Sequence, residues 1–185
     1  MNFTTKKLVF AAAIGALYAA LTIGLAPISF GAIQARVSEV LCILPFFFPL
    51  SALGLTIGCL IANLIGSSAG LLDIVFGSLA TLLATGCVAA IGIWARKKAP
   101  IGDTQSGVTM GACIAACLMP VLFNAPIIGA VLAFTLVAPE AFWESFVLFG
   151  AQVGLGEAIV MLALGLPMLR YLLKSKKFKT IFAGL

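Results

Sequence analysis

Residues 8–25 read LVFAAAIGALYAALTIGL, an unbroken apolar stretch of 18 residues without a charged side chain. A helix needs about 20 mostly apolar residues to cross the hydrocarbon core of a bilayer. Lys6 and Lys7 precede the stretch, as in a secretory signal, but it is longer than the usual apolar region of about 7–15 residues, and no clear cleavage site follows. We therefore predict a retained first transmembrane helix.

The rest of the chain has the same character. Of its 185 residues, 63% are hydrophobic and 9% are charged, and the mean hydropathy is +1.22. Soluble domains carry about 25% charged residues, so this chain has too few to cover its surface in water. The composition predicts one all-α integral membrane domain over residues 1–185.

Breaks at glycine, proline and polar clusters predict six transmembrane helices, at residues 8–25, 38–51, 52–65, 74–94, 108–137 and 143–173. The second and third share a segment that is short for two ordinary spans. Pro45 and Pro49 favour a break within it, because proline removes a helix hydrogen bond and clashes with the preceding turn.

Basic residues predict the orientation of these helices. With six spans, ten of the eleven Lys and Arg residues fall on the side that also holds both termini. Cytoplasmic loops carry an excess of Lys and Arg, so we expect both termini in the cytoplasm. The remaining basic residue, Arg36, and most acids map to outer loops or outer helix halves: Glu39, Asp73, Glu140, Glu144 and Glu157.

Several function classes lack their residues. The chain has five cysteines, no C-x-x-C pair and no histidine, so we expect neither a metal site nor a disulfide framework. A phosphate loop and a nucleophile–histidine pair are also missing. We expect a protein that is not an enzyme, without a cofactor or a nucleic-acid partner.

Polar residues inside apolar segments are the candidate site residues. An ionisable side chain at the bilayer centre costs about 2.5–3.5 kcal/mol, so it usually faces a cavity or a partner. Glu157 is the deepest acid and can bind a ligand or bond to a neighbouring helix. Asn124 can bind a ligand or satisfy backbone groups freed by Pro120 and Pro126. Asn63 is expected to be structural.

Two further sets of polar residues have alternative interpretations. Arg36 and Glu39 are three residues apart, so on a helix they either pair with each other or line a pocket rim. Glu140 and Glu144 follow Pro139, as acids do in the first turn of a helix. We expect those two acids to be capping and interfacial.

The first helix carries small residues at four-residue spacing, Ala12, Ala16 and Ala20. Such spacing allows another helix to approach closely. The stripe can serve packing within the protein or contact with a partner.

Four long segments resemble one known family: FGAIQARVSEVLCILPFFFP, GLTIGCLIANLIGSSAGLLDIVFGSLATLLAT, LFNAPIIGA and FGAQVGLGEAIVMLALGLP. They are similar to the QueT family, the queuosine-precursor substrate-binding (S) components of energy-coupling factor (ECF) transporters. The resemblance covers roughly residues 8–173.

The resemblance implies a six-helix S component in the bacterial cytoplasmic membrane. It would capture 7-aminomethyl- or 7-cyano-7-deazaguanine outside and deliver it inward with the coupling protein EcfT and two EcfA-type ATPases. The alanine stripe would dock on EcfT. The substrate would be bound by Glu157, Glu39, Asn124, Arg36, Gln34 and Asp73, with Phe30, Trp143 or Phe146 stacking on the base.

Three alternatives stay open at this point. The same architecture can take another vitamin or purine. A stand-alone transporter can couple uptake to protons through Glu157. A non-transporting scaffold protein would need the alanine stripe but not the outer acids.

Overall fold

The computed structural model describes residues 4–30, 35–67, 69–98, 108–175 and 178. Its α-helices are α1 (Thr5–Gly24), α2 (Ala26–Ser29), α3 (Ser51–Gly66), α4 (Gly70–Lys98), α5 (Met110–Leu136), α6 (Phe142–Val160) and α7 (Leu166–Lys174). A 3₁₀ helix, Val37–Phe46, lies between α2 and α3. A 3₁₀ turn, Pro139–Ala141, precedes α6, and a π-helical turn, Met161–Gly165, joins α6 to α7. All regular structure in this described part is helical, as the sequence predicts.

Within the described residues, four helical stretches are long and apolar enough to cross a membrane: Thr5–Gly24, Gly70–Lys97, Met110–Leu136 and Pro139–Lys174. Val37–Phe46 and Ser51–Gly66 are apolar but shorter. At about 2.0 Å per residue for a 3₁₀ helix and 1.5 Å for an α-helix, each falls short of the roughly 30 Å hydrocarbon core. The predicted helix at residues 38–51 is interrupted: the 3₁₀ helix ends at Phe46, and Ser51 already begins α3.

The 3₁₀ helix Val37–Phe46 forms the centre of the bundle, and we call it the central helix. The α-helices pack in chain order, α1 on α3, α3 on α4, α4 on α5 and α5 on α6, and the central helix contacts all five. Its buried residues include Ser38 and Glu39 as well as the apolar run from Leu41 to Phe46. Burial on all sides explains why this segment carries no alternating polar face.

Glycines bring α1 and α3 into backbone contact. A Cβ atom added at Gly54 would lie 2.0 Å from the carbonyl oxygen of Ala11, and one at Gly15 would lie 2.2 Å from that of Gly54. A side chain at either position would therefore push the helices apart. This contact fixes the distance between α1 and α3.

Opposite ends of the bundle carry different residues. At one end, Arg36 before the central helix meets Asp73 in the first turn of α4. At the other end, Arg96 near the end of α4 donates from Nη1 to the carbonyl of Phe47 at 2.8 Å. Arg170 of α7 lies near Met110 at the start of α5, with 2.9 Å between Nη1 and Sδ. The buried ion pair and the other described arginines thus occupy opposite ends.

Candidate functional site

The fold gathers the predicted polar residues around the central helix. Arg36, Glu39, Asp73, Asn124 and Glu157 are each between 0% and 5% exposed. They come from the central helix and the residue before it, and from α4, α5 and α6. Buried charges are costly unless they are paired and hydrogen-bonded, so the partners of each group show what the cluster can do.

Arg36 pairs with Asp73, at 3.8 Å between Nη2 and Oδ2. Its Nε donates to the carbonyl of Ser29 at 3.4 Å, and its guanidinium lies 5.1 Å from the centre of the Phe30 ring. An arginine guanidinium stays protonated in proteins and has only donors. Arg36 is therefore a permanent cation and a donor.

Asp73 is held by the last turn of α3 and by the residue that follows it. Ser67 donates from Oγ to Asp73 Oδ2 at 2.5 Å, and Asn63 donates from Nδ2 to the Asp73 carbonyl at 3.1 Å. Gly70 begins α4 with a φ of +69°, a conformation that favours glycine. The turn therefore sets Asp73 beside Asn63.

Glu39 has protein partners on both carboxylate oxygens. Tyr18 of α1 donates its hydroxyl to Oε1, and Cys42 donates from Sγ to Oε2 at 3.0 Å. One turn along α1, the hydroxyls of Thr22 and Ser38 lie 2.6 Å apart. Sequence reasoning missed Tyr18, although a tyrosine in the middle of an apolar helix was a signal for a buried polar partner.

Glu157 and Asn124 meet across the contact between α5 and α6. Asn124 donates from Nδ2 to Glu157 Oε1, and Glu157 lies within electrostatic range of Glu39 and Arg36. The π-helical turn begins one helical turn after Glu157. In a regular α-helix, the ring of Pro167 would clash with the carbonyl four residues before it, which lies in this turn. The two mid-span polar residues therefore belong to the same cluster as the outer charges.

Five buried side-chain atoms have no hydrogen-bond partner within the described part of the chain. We call them the open atoms: Ser29 Oγ, Arg36 Nη2, Asn63 Oδ1, Asp73 Oδ1 and Glu157 Oε2. Such atoms are rare in native proteins, because each costs about 1–3 kcal/mol relative to a satisfied group. Their concentration in one cluster indicates a place where a ligand with matching donors and acceptors can bind.

The aromatic candidates lie in two different places. The Phe30 ring is held between Arg36 and Gly66, where an added Cβ would lie 2.3 Å from it. Trp143 is 75% exposed and Phe146 is half-buried, and both contact Phe142 at the start of α6. The described contacts thus link only Phe30 directly to the charged cluster. Gln34 lies outside the described residues.

The two small-residue stripes of α1 face different ways. Ala11, Gly15 and Ala19 are buried, whereas Ala12, Ala16 and Ala20 are exposed. Ala12 and Ala16 line an apolar groove of 490 Å³ between α1 and α3, together with residues such as Leu53, Ile57 and Ile61. The stripe of Ala11, Gly15 and Ala19 therefore packs inside the protein, and the predicted docking stripe beside it is exposed.

Among the described residues, no group of three or more His, Cys, Asp or Glu side chains is arranged to hold a metal ion. Two of the buried cysteines, Cys42 and Cys59, take part in the hydrogen-bond network. Cys59 Sγ accepts from Thr81 Oγ1 at 3.2 Å and from Asn63 Nδ2 at 3.6 Å.

An apolar helical bundle with a charged cluster enclosed at its centre is typical of multi-pass membrane transport proteins. The chain belongs to the QueT transporter family, whose model matches residues 8–174. The resemblance seen in the sequence is thereby confirmed, and the family is one of transporters rather than enzymes.

One relative is the queuosine precursor transporter QueT of Lactococcus lactis subsp. cremoris (strain MG1363). It is 42% identical over 81 residues, which are 43% of this chain and 47% of the relative. The match therefore spans about half of the relative's length. No solved structure gives a significant match to the chain.

Proposed function

We propose that this protein is the substrate-binding S component of an ECF-type importer in a bacterial cytoplasmic membrane. It captures a queuosine precursor, 7-aminomethyl- or 7-cyano-7-deazaguanine, from the extracellular side. Family membership and the name of the Lactococcus relative support transport of such a precursor. The observation that carries the assignment of the site is the set of open atoms inside the buried cluster.

The chemistry of the cluster suits a deazaguanine. The ring offers N1–H and an exocyclic amine to carboxylates, and it offers O6 to a guanidinium or amide donor. The cluster supplies the Asp73 and Glu157 carboxylates and the Arg36 guanidinium, each with an open atom. A protonated aminomethyl group would take a further carboxylate.

Energy for import would come from partner subunits. The chain carries no phosphate-binding loop, so EcfT and two EcfA-type ATPases would supply the work of transport. The exposed stripe of Ala12, Ala16 and Ala20 would let a helix of EcfT approach α1 closely, because its side chains are small.

The proposal includes six membrane passes with both termini in the cytoplasm. The central helix and α3 would form two short passes, and the lysine and arginine clusters support this orientation. Reporter fusions at each terminus should report the cytoplasm at both. A terminus outside would contradict the six-pass arrangement.

Direct binding to the purified protein tests the function. We expect 7-deazaguanines to bind in calorimetry, and guanine, flavin, thiamine and pyridoxine to bind at least tenfold more weakly. Glu157→Gln should weaken binding by about tenfold, because it removes the charge that a donor would meet. Glu144→Gln, at an exposed position of the same helix, is the matched control.

Two results would contradict the proposal. Preferential binding of a vitamin would show that the substrate is not a deazaguanine. Unchanged binding in Glu157→Gln would show that this cluster is not the binding site. Uptake by cells that lack the ATPase partners, with dependence on the proton gradient, would favour a stand-alone transporter instead.

A further inference from the structure

Three of the open atoms lie on neighbouring residues, which we call the donor–acceptor set. They belong to Arg36, Asp73 and Asn63. Asp73 contacts both of the others, because its carboxylate meets Arg36 and its backbone carbonyl accepts from Asn63.

The hydrogen bonds of this set determine whether each open atom is a donor or an acceptor. Asn63 Nδ2 faces a carbonyl oxygen, which only accepts, so Asn63 Oδ1 is an acceptor. Asp73 Oδ2 accepts from Ser67, which leaves Oδ1 as a second acceptor. Arg36 Nη2 is a donor. The set therefore offers one donor and two acceptors.

The side chains of Asn63 and Asp73 pack closely against Gly77 of α4, where a larger residue would displace them. A Cβ atom there would lie 2.7 Å from Asn63 Nδ2, 3.1 Å from Asp73 Oδ1 and 3.5 Å from Cδ1 of Ile128 on α5. Ile128 is one turn beyond Asn124, the residue bonded to Glu157. Gly77 thus lies close to Asn63, to Asp73 and to the part of α5 that carries Asn124 one turn earlier.

We propose that Arg36, Asp73 and Asn63 read the Watson–Crick edge of a guanine-type ring. That edge presents O6, N1–H and the 2-amino group in order, which is acceptor, donor, donor. O6 would accept from Arg36, N1–H would donate to Asp73, and the 2-amino group would donate to Asn63. This assignment rests on the proposed function and makes Asn63 a specificity-determining residue, whereas the sequence alone suggested a structural role.

The test compares 7-deazaguanine with 7-deazahypoxanthine, which lacks only the 2-amino group. For the unmodified protein in detergent, we expect calorimetry to give a Kd for 7-deazaguanine that is lower by about tenfold or more, because 7-deazahypoxanthine leaves a buried acceptor unpaired. Asn63→Leu should reduce this ratio to within about threefold. Asp73→Asn should weaken both compounds by about tenfold and preserve their ratio, since both carry N1–H.

The ratio separates a contact from a structural role. A poorly folded variant lowers the number of active sites, but it leaves the ratio of the two Kd values unchanged. Ser78→Ala is the control, because Ser78 Oγ donates to the Ile74 carbonyl within its own helix at 2.6 Å; the full ratio should remain.

The outcomes are distinct for the two proposals. An unmodified protein that binds 7-deazaguanine but keeps the full ratio in Asn63→Leu would overturn this assignment alone. The ratio would persist in that variant if the 2-amino group did not contact Asn63. An unmodified protein that binds neither compound would overturn the proposed function as well.

Discussion

At the scale of single residues, the buried acids differ in whether both carboxylate oxygens have a hydrogen-bond partner. Glu39 is bonded through both oxygens to Tyr18 and Cys42, whereas Asp73 and Glu157 each keep an open atom. A carboxylate that is already satisfied gains little from a ligand and loses its partners if it moves. We infer that Glu39 holds α1 against the central helix and positions the cluster.

Replacing Tyr18 tests this role of Glu39. Tyr18→Phe leaves Glu39 Oε1 without its donor, so we expect the free energy of unfolding to fall by about 1–3 kcal/mol. The measurement is chemical denaturation in detergent micelles. Tyr171→Phe, at a position that is 70% exposed, should have almost no effect. Equal stability of the two variants would contradict the role.

Sequence reasoning could find the polar residues but not their partners. An acid or amide in an apolar segment is visible in one dimension, so Glu157 and Asn124 could be chosen as candidates. Their mutual bond spans 33 residues, and the one between Tyr18 and Glu39 spans 21. The proposed pairing of Arg36 with Glu39 relied on helical spacing, but the chain is extended at Arg36 and directs it to Asp73.

At the scale of helices, apolar length was the reliable signal. It predicted long helices where α1, α4 and α5 lie, because a lipid-covered helix needs a continuous apolar stretch. It could not predict that Val37–Phe46 is a 3₁₀ helix or that a π-helical turn interrupts the last span. Those forms depend on packing around the centre, and the prolines nearby indicate only that a regular helix is disturbed.

The contact between α1 and α3 gives a prediction at this scale. Gly54→Ala places a methyl group against the Ala11 carbonyl, so we expect a loss of about 1–3 kcal/mol in the free energy of unfolding. Gly86→Ala is the matched control, because no described atom lies within 4 Å of a Cβ there. It should be neutral or stabilising by up to about 1 kcal/mol, since alanine favours the helix.

A comparison of the two alanine variants by denaturation in the same detergent decides the point. If Gly54→Ala were as stable as Gly86→Ala, the helices would not be held at the distance that the structure shows. A third variant, Gly54→Ser, should resemble Gly54→Ala, because its Cβ atom occupies the same position.

At the scale of the whole molecule, α1 connects the cluster to the outer surface. Its inner face carries Tyr18, bonded to Glu39, and its outer face carries Ala12, Ala16 and Ala20. One rigid helix thus touches both the proposed ligand site and the proposed docking face. A ligand that shifts the cluster would therefore also shift α1, and with it the surface that partners would contact.

Ala16→Leu tests the docking face without touching the site. Ala16 lines the groove between α1 and α3 and is exposed, so leucine there should leave stability and deazaguanine binding unchanged. It should reduce co-purification with EcfT and the ATPases by tenfold or more, because small residues allow close helix approach and leucine prevents it. Ala151→Leu, at an exposed position of α6, should co-purify normally. Full assembly of the Ala16→Leu protein would move the docking face elsewhere on the surface, whereas loss of ligand binding would show that the two faces of α1 are not separate.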